Sequence, residues 1–146
     1  MFKNILIPTD GSEQSQRAIR SGIELAKLHG ARVTAIHVIP DYHLLIAYEG
    51  AFDPVTEERI EEEAKARAET YLAYVRKAAS EAGIACATVC ETSDHPYDAI
   101  LRTADSSGCD LILMTSHGRK GLAAVLLGSE TRKVLTHAKV PVLIMR

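Results

Sequence analysis

Short, wholly apolar runs alternate with longer amphipathic segments from one end of this chain to the other, and this alternation limits the fold more than any other feature. Residues 2–7, 33–39, 84–90, 110–114 and 140–145 read as strands, rich in Ile, Val and Leu. Between them lie segments with apolar positions three and four apart, the period of a helix with one buried face. Ser12 caps the first helix and Gly30 ends it, with Ile19, Gly22, Ile23 and Ala26 on its buried side. Asp53 and Pro54 open a long helix that Gly83 stops, with a stripe of Ile60, Ala64, Ala68, Tyr71, Val75, Ala78 and Ala82. Helices are also expected over 96–107 and 129–138, and a loop or lid-like insertion over 40–52. Strands apolar on both faces and joined by helices require a parallel sheet covered on both sides.

The expected class is therefore α/β: a five-stranded parallel sheet with helices on both faces, forming a single domain over 1–146. In open sheets of this kind a ligand sits beyond the carboxyl ends of the strands, where the winding reverses. Two turn-rich segments follow strand ends, 8–12 and 115–129. They become neighbours only if strands one and four are adjacent, which is the order 3-2-1-4-5.

Composition narrows the partners. A net charge of -2, a pI near 6.3 and the absence of Trp argue against a nucleic acid. No run approaches the ~20 apolar residues of a membrane span, and nothing at the N-terminus resembles a secretory leader. The chain is read as cytoplasmic. Three cysteines, Cys86, Cys90 and Cys109, are read as buried thiols without metal-ligand spacing. The five glutamates at 57, 58, 61, 62 and 63 read as a solvated helix face, and the histidines give no metal geometry.

The second turn-rich segment carries the chemistry. Met114-Thr115-Ser116-His117-Gly118 is followed, after nine residues, by Gly128-Ser129 and a helix. A strand, a small-residue loop and a helix N-terminus together offer backbone N–H groups and a positive dipole end to a phosphate. Arg119, Lys120, Arg132 and Lys133 surround the loop, opposed there by Glu130. Ser129 either caps the helix or bonds a phosphate. Asp10, with Pro8 and Thr9 in the strand-one turn, either holds its own backbone or reaches a ribose, a base or a hydrated metal. Val38 and Met114 either flank a ring or pack in the core; His117 either touches phosphate or serves the turn. His37 reads as a core histidine. There is no G-x-x-x-x-G-K-[ST], no G-x-G-x-x-G, and no evident general base.

Taken together, KNILIPTDGS, AIHVIP and MTSHGRKGLAAVLLGSETRKVLTHAKVPVLIMR resemble the universal stress protein family along nearly the whole chain. The resemblance implies a Rossmann-like fold close to the adenine nucleotide alpha hydrolases, usually dimeric through the last strand. ATP-binding members carry G-x-x-G, nine residues, then G-[ST]. Gly118, the gap, Gly128 and Ser129 match, while Thr115 stands where the first glycine belongs. The match implies ATP, with Mg²⁺ on its phosphates, held by Pro8, Thr9, Asp10, Val38, Met114, Thr115, His117, Gly118, Arg119, Gly128, Ser129 and Glu130. Thr115 keeps its backbone N–H but its branched side chain crowds the ribose. The expected role is a nucleotide-dependent stress sensor or adaptor, at most a weak ATPase or autophosphorylating protein. The alternatives are a nucleotide-free interaction module using the 40–52 loop and an adenylating ATP pyrophosphatase. The last strand, with Pro141 at its start and no charge, is expected to be an edge covered by a second copy.

Overall fold

The computed structural model describes residues 1–43, 54–117 and 127–146. Its elements run β1 (Asn4–Pro8), α1 (Glu13–His29), β2 (Arg32–Ile39), α2 (Pro54–Glu81), β3 (Cys86–Thr92), α3 (Pro96–Ser106), β4 (Leu111–Thr115), α4 (Ser129–His137) and β5 (Val142–Met145). The sheet has the order β3-β2-β1-β4-β5, with every pair parallel. Ile5 faces Val33 on one side, and Leu6 faces Ile112 on the other.

Alternation along the strands divides the core in two. Ile5, Ile7, Val33, Ala35, Leu111 and Leu113 pack against Ile19 and Ile23 of α1 and Leu72 and Val75 of α2. Leu6, Ile36, Ile112 and Met114 point to the opposite face, against Ile100 of α3 and Val134 of α4. Each fully buried Ile or Leu contributes roughly 1.5–3 kcal/mol relative to exposure. Gly22 brings α1 close to the sheet: a Cβ there would lie 2.5 Å from Ile7 Cδ1. Ser12 caps α1 by accepting from Ser15 N at 3.1 Å, and Gly30 ends it at φ 64°.

Three expectations need correction. β3 begins at Cys86, because the Ile84 amide donates to Ala79 O (2.8 Å) and closes α2 instead of joining the sheet. The buried stripe of α2 runs through Ala64, Ala68, Leu72, Val75 and Ala79, so Leu72 and Ala79 replace Tyr71 and Ala78. Tyr71 is turned toward the strand ends, where a Cβ on Gly11 (φ +76°) would collide with its ring. Of the cysteines only Cys109 is buried; Cys86 is half-buried and Cys90 exposed. Burial raises all three thiol pKa values. Arg76 partly offsets this at Cys86, and Glu69 adds to it at Cys90. The expected cap at Asp53, most of the 40–52 insertion, and Gly118, Arg119, Lys120 and Gly121 lie outside the described residues. No helix among the described residues is long and apolar enough to cross a membrane.

Candidate functional site

Strand order brings the two turn-rich segments together. With β1 beside β4, their carboxyl ends open into a cavity of about 410 Å³. One wall is the turn after β1, with Pro8, Thr9 and Asp10; the end of β2 adds His37 and Val38. The opposite wall is Met114 and Thr115 of β4, then His117, with Gly128, Ser129 and Glu130 at the start of α4. Every described residue among the sequence candidates lines this one cavity.

The β1 turn is built by its own polar side chains. Thr9 is buried; its N–H donates to Ile36 O at 2.9 Å, and its hydroxyl accepts from Gly11 N and meets Ser15 Oγ at 3.1 Å. Asp10 Oδ1 accepts from Ser12 N at 3.0 Å, the local turn bond that a short acidic side chain favours. His37 is not sealed in the core. Its Nδ1 lies 2.8 Å from Thr9 O, and since a carbonyl only accepts, Nδ1 carries the proton. Its ring meets Tyr71 edge-on, with centroids 5.1 Å apart.

On the far wall the loop is tied to α4. Gly128 N donates to Ser116 O (2.8 Å), and Thr131 Oγ1 donates to Thr115 O (3.1 Å). A Cβ at Gly128 would approach Ser116 O to 3.1 Å, which explains a glycine there. Thr115 Oγ1 donates to His117 O at 2.8 Å, so this branched side chain is pinned to its own loop. The residue preceding the helix is Gly128, and Ser129 is the first residue of α4; the capping role considered for Ser129 is not the one it takes. The amides of a first helical turn have no carbonyl partner within the helix. At this end they point a positive dipole toward the cavity mouth.

Five lining residues carry no local signal in the sequence, Ser15, Ile36, Pro96, Ile100 and Thr131, and His37, expected in the core, lines the cavity with them. Ile36, Ile100, Val38 and Met114 make one region of the lining apolar and suited to a flat ring. Thr9, Asp10, Ser129 and Glu130 add polar groups to the same lining. No Lys or Arg lines the cavity among the described residues. Lys133 instead reaches Glu130 Oε1 at 3.0 Å.

His43, expected to give no metal geometry, lies between two carboxylates away from this cavity: Nδ1 is 2.5 Å from Glu57 Oε1 and Nε2 is 3.1 Å from Glu61 Oε1. Each ring nitrogen faces a different acid, the arrangement of an imidazole bridging two carboxylates one helical turn apart.

Comparison with known proteins agrees with this architecture. A sequence model of the universal stress protein family matches residues 1–146. A universal stress protein of Thermus aquaticus is 33% identical over 149 residues, covering 100% of both chains. A Methanocaldococcus jannaschii universal stress protein superposes with a TM-score of 0.79 at 30% identity, covering 99% of this chain and 96% of that one. An Archaeoglobus fulgidus universal stress protein, solved in complex with dAMP, shares the fold with a TM-score of 0.71 at 20% identity, covering 99% of this chain and 98% of that one. The chain belongs to the universal stress protein family.

Proposed function

We propose that the cavity at the carboxyl ends of β1, β2 and β4 binds an adenine nucleotide, and that the chain, acting as one domain, uses it as a nucleotide-dependent stress sensor or adaptor. The observation that carries this reading is the convergence of an apolar slot and a helix N-terminus on one cavity. Ile36, Val38, Ile100 and Met114 suit the faces of a base. Asp10 and the Thr115 backbone, which line the same cavity, are proposed to meet the ribose, and the α4 terminus suits a phosphate. The dAMP complex of the A. fulgidus relative supports the choice of an adenine nucleotide for a cavity of this fold.

ATP is the proposed ligand, with Mg²⁺ on its phosphates. Mg²⁺ keeps most of its waters and takes one or two carboxylates beside substrate phosphates. Asp10, which lines the cavity, is chemically suited to that outer role. Turnover is proposed to be slow or absent. The sequence carries a phosphate loop with no evident general base to activate an attacking water. The chain is further proposed to act in the cytoplasm as a homodimer joined through β5, with a protein partner as its output.

Isothermal titration of the purified chain with ATP and AMP tests the reading. Heat with a Kd of millimolar or tighter is expected. Val38→Trp, which fills the slot, should remove that heat while far-UV circular dichroism stays unchanged. No heat with either ligand at millimolar concentration would overturn the reading. Mass spectrometry of heat-released supernatant checks it independently, since co-purified adenine nucleotide is expected there.

A further inference from the structure

Two helix N-termini, not one, meet at this cavity. Pro96, the first residue of α3, lines it together with Ser129 and Glu130 of α4. The α3 terminus lacks a conventional cap: His95 makes no side-chain capping hydrogen bond. Instead Tyr97 N donates to Glu130 Oε2 at 2.9 Å, so a carboxylate from α4 serves the first turn of α3. Glu130 is fixed from a second side by Lys133, whose ammonium bonds Oε1 at 3.0 Å and sits 5.2 Å from the centre of the Tyr97 ring. A side chain held at both oxygens by an amide and an ammonium has little freedom to swing away.

We propose that Glu130 is a resident anion at this convergence and sets the preference of the site for nucleotides with less phosphate charge. The inference rests on the adenine-nucleotide reading above and specifies which members of that class bind best. One anionic position, at α4, remains for a ligand phosphate; the other, at α3, is taken by the Glu130 carboxylate. The charged side chains lining the described cavity are Asp10 and Glu130, both acidic. The histidines on its wall are engaged through Nδ1, His37 with Thr9 O at 2.8 Å and His117 with Ser116 Oγ at 3.2 Å. Lys133 does not line the cavity and balances Glu130 from outside it. A phosphate chain extended from α4 toward α3 meets a fixed negative charge. Each added phosphate therefore gains less than it would without the Glu130 charge.

The test is titration calorimetry of the full chain with AMP and with ATP, in EDTA so that no divalent ion masks the phosphates. Wild type, Glu130→Gln and Glu130→Asp are compared. Glu130→Gln keeps an oxygen for Tyr97 N and removes the charge; Glu130→Asp keeps the charge and shortens the reach. Glu130→Gln should move the ATP-to-AMP affinity ratio in favour of ATP by about five- to tenfold, the effect of one partly screened like charge. Glu130→Asp should stay within about twofold of wild type. In wild type, added salt should raise ATP affinity relative to AMP, because screening weakens repulsion. This last readout needs no variant to fold.

An unchanged ratio in Glu130→Gln, an equal change in Glu130→Asp, or ATP affinity that falls relative to AMP with salt would overturn the proposal while leaving nucleotide binding intact. Absence of binding by either nucleotide in wild type would overturn both readings together.

Discussion

Gly11 meets two requirements at once. Its φ of +76° belongs to the left-handed region, and its missing Cβ leaves room for the Tyr71 ring, which would otherwise be 2.2 Å away. That contact joins α2 to the β1 turn, and Tyr71 in turn packs on His37. Gly11→Ala is expected to cost about 1–3 kcal/mol through backbone strain, with the ring forced aside. The urea midpoint should fall accordingly, with the slope unchanged; an unaltered midpoint would show that the turn relaxes freely. This position also shows how far a sequence can be read. The turn chemistry at 8–12 was legible because Pro, Asp, Gly and Ser each have a local backbone reason to be there. The partner of Gly11 was not, since nothing local says that Tyr71, some sixty residues on, leaves the buried stripe to reach it.

Among the elements, β1 and β4 decide the site, because their adjacency brings the two loops together. One side chain fastens their starts. Asp110 accepts from Lys3 N (3.1 and 2.9 Å) and Asn4 N (3.0 Å), while Asp110 N returns a bond to Asn4 O. Partial burial tends to raise the Asp110 pKa, but the Asn4, Lys3 and Asp110 amides and the Lys3 charge together outweigh it, and the net shift is downward. A folded pKa below the unfolded one adds stability above the ordinary carboxylate range. That stability is lost as pH falls through the folded value. Asp110→Asn is therefore expected to lower stability at pH 7 by about 1 kcal/mol or less, given the exposure of the group. The gap between variant and wild type should close as pH falls through the folded Asp110 value, below the ordinary carboxylate range. Thermal melts across that range check it; a gap independent of pH would contradict the assignment. The strands and their order were legible from apolar runs and turn placement. The start of β3 was not, because the Ile84 amide could pair equally well with a helix carbonyl or with a strand, and Ala79 O captures it.

The whole molecule leaves β5 at one edge of its sheet, with Leu143 40% exposed. Pro141 O and Met145 O accept from Ile112 N and Ser116 N of the β4 side, so alternate residues 141, 143 and 145 face inward. The backbones of Val142 and Ile144 consequently face the open edge. A second copy pairing there would use those groups, which is the arrangement proposed for the homodimer. Ile144→Pro removes an outward donor without touching a bond to β4. Wild type should scatter light as a dimer at micromolar concentration and the variant as a monomer; a monomeric wild type would remove this edge from the account. At this scale much of the cavity was legible as two loops after two strands. Ile36, His37, Ile100 and Pro96 were not, because they reach it through strand alternation and the docking of α3, neither of which leaves a local mark.

The claim on which the rest depends is that one ligand touches both halves of the chain at once. Amide and methyl chemical-shift mapping by NMR, during titration with AMP or ATP, tests it most directly. Coincident, saturable shifts are expected at Asp10, Val38, Met114 and Ser129, which are far apart in sequence and share one cavity. Shifts confined to the groove between α1 and α2, around Arg20, Tyr74 and Lys77, or no saturable shifts at all, would contradict it.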